Sequence, residues 1–135
     1  MSTSALLRMV DAVTVLVPDL DQGLRFYRDR LGHELLWRND AIGQAALRLP
    51  ESSTELVLST GLNYAPTWLV ASVEAATETF VAAGGRVLAK PAPIAVGRVA
   101  VVADPFGNAL VLLDLSAGRY VTDAEGNVIG VESTP

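Results

Sequence analysis

Val17-Pro18-Asp19-Leu20-Asp21-Gln22-Gly23-Leu24-Arg25-Phe26-Tyr27, closed by Leu31-Gly32, decides how this chain is read. Apolar, β-branched residues lead into it from Ala12, so a strand runs from Ala12 to Val17 and Pro18 stops it. Asp19 is a good N-cap, and Gln22 three residues on can complete a capping box. Leu20, Leu24, Tyr27 and Leu31 then form one helical stripe, and Gly32 suits the position just past the helix. The same unit recurs at an offset of 53 residues (17 to 70). Ala12 falls on Ala65, Val17 on Val70, Leu20 on Val73, Asp21 on Glu74, Tyr27 on Phe80 and Gly32 on Gly85.

Working outward, the first copy continues with two strands, His33 to Arg38 and Gln44 to Leu49, turning at Asn39-Asp40. A polar loop, Glu51-Ser52-Ser53-Thr54, precedes a further strand from Glu55 to Ser59, which gives the order β-α-β-β-β. The second copy repeats it. Thr67 to Ala71 is a strand, Ser72 caps a helix from Val73 to about Ala83, and Gly84-Gly85 ends that helix. Val87 to Ala89 is a short strand, and Pro91 and Pro93 force its hairpin to be irregular or at an edge. Arg98 to Ala103 and Ala109 to Leu115 flank the turn Asp104-Pro105-Phe106-Gly107-Asn108. Tyr120 to Thr122 and Asn127 to Val131 form an appended hairpin, and the first eight residues are expected to be loose.

Composition narrows the function classes. Half of the 135 residues are apolar and 19% are charged, enough for a buried core and against disorder. Net charge is −5 and the ten Lys and Arg are scattered, so no basic stripe points to nucleic acid. No apolar run is long enough for a membrane span, and Met1 to Met9 does not read as a secretory signal. Without cysteine there is no disulfide, thiolate metal site or cysteine nucleophile, and the expected location is cytoplasmic. No serine sits on a nucleophile elbow, and neither Gly84-Gly85 nor Gly107-Asn108 lies in a phosphate-binding order.

Val17-Pro18-Asp19-Leu20, Phe26-Tyr27 and Leu31-Gly32 resemble the opening signature of the vicinal-oxygen-chelate superfamily, which holds glyoxalases, bleomycin-resistance proteins and extradiol dioxygenases. Asp104-Pro105-Phe106-Gly107-Asn108 with Leu110-Val111-Leu112 resembles its closing signature. The resemblance implies an α+β fold. Tandem βαβββ modules, 9–60 and 65–115, would form a curved mixed sheet in a single domain, with a C-terminal hairpin at 118–131. Metal enzymes of this family place one ligand on each of four strands facing a cup. Those slots fall on Ala12, Ala65, Val111 and either Glu55 or Val57. At most one can donate to a metal, so the expectation is no metal and no cofactor.

The resemblance then implies a metal-free small-molecule binding protein, a homodimer like other metal-free members, with modules paired within one chain or swapped between chains. The alternatives are a metal-independent enzyme using Glu55 for proton transfer, and a degenerate relative of metal-dependent lyases or dioxygenases. A third is an interaction module whose cup is filled by its own side chains. A carboxylate in an apolar cup becomes more basic, which suits Glu55 as a base; the plainer account is a solvated strand start beside Glu51. Trp37 and Tyr64 are flat rings suited to stacking on a ligand, or to ordinary packing. Thr14 and Thr67 share the face of Ala12 and Ala65 and could offer hydroxyls, or serve β-propensity alone. Val57 and Val111 would line the cup. Trp68 reads as core, His33 as a solvated residue at a strand start, and Arg38, Arg48 and Arg98 as possible anion contacts or plain surface charges.

Overall fold

A computed structural model describes residues 5–133. The strands are β1 (Met9–Leu16), β2 (Leu35–Asn39), β3 (Gln44–Leu49), β4 (Ser52–Ser59), β5 (Ala65–Leu69), β6 (Arg86–Ile94), β7 (Gly97–Ala103), β8 (Ala109–Asp114), β9 (Arg119–Thr122) and β10 (Val128–Glu132). The helices are α1 (Leu20–Leu24), which runs on as a π-helical turn over Arg25–Arg30, and α2 (Val73–Ala82). The chain divides into two compact units. Among the described residues, one holds 11–66 and 120–130, the other 5–10, 67–119 and 131–133.

In the first unit the strand order is β2-β3-β4-β1, with β1 parallel to β4 and the other pairs antiparallel. Period-two alternation sorts β3 and β4 between two faces. Ala45, Leu47 and Leu58 join Val17, Leu20 and Leu24 under the helix, while Ala46, Val57 and Ala12 pack on the opposite face. Gly23 lets α1 approach closely, since a Cβ there would stand 3.1 Å from both Leu58 and Val17. Asp19 caps the helix as expected, accepting from the Gln22 N–H at 2.8 Å. The Gln22 side chain bonds the Asp19 carboxylate rather than its backbone N–H, so the reciprocal half of a capping box is not made.

The second unit has the order β5-β8-β7-β6, with β5 and β8 parallel. Its core joins Val73 and Ala76 of α2 to Ala100, Val102 and Leu112, and Trp68 packs there as core. Asp114 is 3% exposed and fastens this unit. It accepts from the N–H groups of Val73 (2.8 Å), Arg98 (3.1 Å) and Ser116 (3.2 Å) and from the Ser116 hydroxyl (2.7 Å). Ser72 accepts from Ala75 N–H, so α2 has two of its free N-terminal donors satisfied.

Several boundaries differ from the sequence expectation. The helix of the first unit changes from α to π hydrogen bonding, with Leu31 N–H reaching Phe26 O at 3.0 Å. The wider winding rotates the end of the stripe outward, so Leu31 is 52% exposed instead of buried. Ser52 to Thr54 are strand, not loop, and only Pro50 and Glu51 turn. β6 runs through Pro91 and Pro93 because it is an edge strand, with register shifts between Val87 and Ala89 and between Ala89 and Ala92. Asp40–Ile42 form a short 3₁₀ turn closed by left-handed Gly43. Of the first eight residues, Met1 to Ser4 lie outside the described residues. Leu6 and Leu7 pack on the second unit's core, and Arg8 N–H bonds Leu69 O at 2.9 Å, so this stretch is not loose. No helix among the described residues is long and apolar enough to cross a membrane.

Candidate functional site

Strand register in the first unit brings several of the predicted residues to one face. Glu55 lies directly opposite Ala12 across the β1–β4 pair, and Val57 opposite Thr14. On the other side of β4, Ala46 stands opposite Val57 and Arg48 opposite Glu55. Glu55 is partly buried and accepts a hydrogen bond from the Trp37 indole N–H at 3.1 Å. Ala12, Ala46 and Val57 are buried, and Leu36 and Trp37 pack against them. Thr14 is buried on the same strand face as Ala12.

A one-residue irregularity in β2 puts Trp37 there. Leu35 pairs with Leu47, but Trp37 pairs with Ala46, so the register jumps between them. In an unbroken ladder Leu36 would face Ala46, and Trp37 would turn toward Ala45 and the helix. The bulge re-aims the indole to the Glu55 side. The sequence carries no signal for it.

Tyr120 is the residue that sequence reasoning missed. Its ring packs against Trp37, with centroids 4.7 Å apart and planes tilted by 57°. The hairpin that carries it is joined to β2 by Arg38 N–H donating to Gly126 O at 2.8 Å and by a bridge between Arg38 and Asn127. Gly126 is left-handed, and a Cβ there would come within 3.0 Å of Leu35.

Other expectations fare differently. Ala12 is 6% exposed, covered by its neighbours. Tyr64 is 74% exposed in the loop before β5 and belongs to no ring pair. Thr67 and Val111 are cross-strand partners in the other unit, both half-buried. His33 is partly buried, its Nδ1 3.0 Å from the Arg48 carbonyl, in place of full solvation. The three arginines weighed as anion contacts are each engaged by carboxylates. Arg38 meets Asp40 (2.8 Å) and Asp21 (3.1 Å), Arg48 meets Glu34 (2.7 Å), and Arg98 meets Glu74 (2.7 Å). The bond to Asp40 raises the Arg38 pKa further above its usual value. A surface groove of about 600 Å³ runs past Asp19, Asp21, Arg25, Arg38 and Asp40, but Arg38 there is already neutralised.

A model of the Glyoxalase/Bleomycin resistance protein/Dioxygenase superfamily matches residues 9–112. The chain belongs to this superfamily. Among solved structures, methylmalonyl-CoA epimerase from Mycobacterium tuberculosis is similar at 22% identity and a TM-score of 0.66, covering 84% of this chain and 92% of its own. A variant of Streptomyces coelicolor methylmalonyl-CoA epimerase, solved with 2-nitronate-propionyl-CoA, is similar at 25% identity and 0.63, with 84% and 100% covered. A hypothetical protein from Bacillus halodurans C-125 is similar at 20% and 0.62, with 78% and 93% covered. No curated protein matches the chain significantly.

The superfamily's metal slots can now be tested against donor chemistry. At the positions that the resemblance assigns to metal ligands, the side chains of Ala12, Ala65 and Val111 have no donor atom, and of Glu55 and Val57 only Glu55 could donate. Among the described residues no three His, Cys, Asp or Glu side chains converge as a metal site. Zinc sites use three or four protein donors, so these residues do not fit such an ion held in the superfamily's slots.

Proposed function

We propose that the chain is a small-molecule binding protein that works without a metal and holds its ligand on the Glu55 face of the first unit. One observation carries this: a partly buried carboxylate, oriented by the Trp37 N–H, among neighbours that supply apolar surface and no metal donor. Such a site offers a charge for one end of a ligand and an aromatic wall for its body. Val57 lies in its floor, and Thr14 offers a hydroxyl on the same strand face. Thr67, Val111 and Tyr64 have no observation that adds to their case.

The second reading is metal-independent proton transfer by Glu55. Its support is that several similar structures are epimerases, one solved with methylmalonyl-CoA. A carboxylate within reach of a carbon acid can take and return a proton, as a general base does. Incubating the protein with methylmalonyl-CoA in deuterated water separates the readings. Binding without deuterium uptake supports a binding protein, while uptake abolished by Glu55→Gln supports the enzyme.

Two expected results follow at the level of the purified protein. Elemental analysis after mild purification should find far less than one Zn, Ni, Mn or Fe per chain, and one equivalent would refute the reading. We also propose that the chain is a homodimer in the cytoplasm, because metal-free members of the superfamily typically pair. Light scattering at micromolar concentration should give twice the chain mass; the mass of a single chain would contradict it.

A further inference from the structure

We propose that the Trp37 indole is a subsite for a flat aromatic ring, with Tyr120 as its internal occupant and the C-terminal hairpin as the gate. This rests on the reading that the Glu55 face binds a small molecule, and it adds a ligand class and a means of access. Three observations support it. The β2 bulge turns Trp37 to this face, and the indole edge is fixed by Glu55, so the ring is held for stacking. The ring it meets comes from the chain itself, from a segment beyond the 9–112 match to the superfamily. The hairpin that supplies that ring has little core of its own: Ile129 is 66% exposed and Val131 38%.

A two-stranded hairpin without a packed face is marginal in water. Its closed position therefore depends on the ring pair and on the backbone links from Arg38 to Gly126 and Asn127. Contacts of that kind open at low free energy. A ligand ring that replaces Tyr120 recovers the ring contact that opening loses, so exchange is nearly balanced. Glu55, within hydrogen-bond distance of the indole, favours a ring that also carries positive charge.

The test uses the full chain with Trp68→Phe, so that Trp37 is the only fluorescent indole. Tyr120→Ala should raise acrylamide quenching of Trp37 at least about twofold, because the covering ring is gone. Proflavine, a flat cationic dye followed by its own polarisation, should bind Tyr120→Ala about three- to tenfold more tightly than the parent, the equivalent of one ring pair released from competition. Tyr120→Phe keeps the ring and should match the parent. Tyr120→Leu keeps apolar cover without a π-face and should bind the dye as tightly as the alanine variant, which guards against a hairpin that simply unfolds. Unchanged quenching, weaker dye binding by Tyr120→Ala, or no dye binding by any variant would overturn the proposal. If a non-aromatic compound binds in a Glu55-dependent way while the dye does not, the subsite fails and the binding reading stands.

Discussion

Replacing Asp114 with alanine should cost the fold about 3 kcal/mol, measured by urea unfolding at pH 7. One carboxylate collects donors from three places in its unit: the first turn of α2 through Val73, the start of β7 through Arg98, and the turn after β8 through Ser116. Alanine would leave these groups short of an acceptor inside the protein, and leaving a buried donor unpaired costs more than a hydrogen bond contributes. Gly97 belongs to the same arrangement, since a Cβ there would stand 2.6 Å from the Asp114 carboxylate. The same bonds set an acid dependence. Burial alone would raise the Asp114 pKa, but the donors from Val73, Ser116 and Arg98 outweigh it and hold the pKa below 3.8. A depressed folded pKa means that this stability is fully present above about pH 4 and drains away as pH falls through the folded value. Asp114→Asn should therefore flatten the acid limb of the stability profile. A loss under 1 kcal/mol for Asp114→Ala would show that water replaces the carboxylate.

Local chemistry made most of the fold legible. Asp19 and Ser72 are helix caps that side chains with short acceptors announce, and the alternation of Leu56 and Leu58 with Glu55 and Val57 separates the two faces of β4. What the sequence hid are features set by tertiary register. The β2 bulge that turns Trp37 has no glycine to mark it. The π-helical turn at Arg25–Arg30 has no glycine or proline within it to mark it. Tyr120 is distant in sequence from Trp37 and was readable only as one residue of an exposed hairpin. Asp114 looked like the end of a strand, because nothing local says that a helix N-terminus lies above it. Of the residues gathered at the candidate site, Glu55 and Trp37 were legible in the sequence, while the bulge that brings them together and the Tyr120 ring were not.

Glu55→Gln should weaken binding of a cationic ligand by roughly 1.5–3 kcal/mol, about ten- to a hundredfold, by removing one charge-assisted contact. The amide oxygen of glutamine can still accept from the Trp37 N–H, so the melting temperature should move by only a few degrees. Loss of affinity without loss of fold is the signature of a residue that touches ligand. If the chain is an enzyme, the same change should abolish turnover and leave binding nearly intact. Equal affinity and equal turnover in both proteins would remove Glu55 from the site.

Ligand binding on the Glu55 face without a metal can be measured directly. The most direct measurement starts from a thermal-shift screen of antibiotics and metabolites, in which a ligand at a hundred times its dissociation constant adds roughly 2.7 kcal/mol. The best-stabilising compound is then titrated calorimetrically into protein dialysed against EDTA, with wild type and Glu55→Gln side by side. The expected result is an affinity for wild type that EDTA leaves unchanged and that Glu55→Gln lowers at least tenfold. Binding that disappears with EDTA and returns on adding Zn, Ni, Mn or Fe would contradict it.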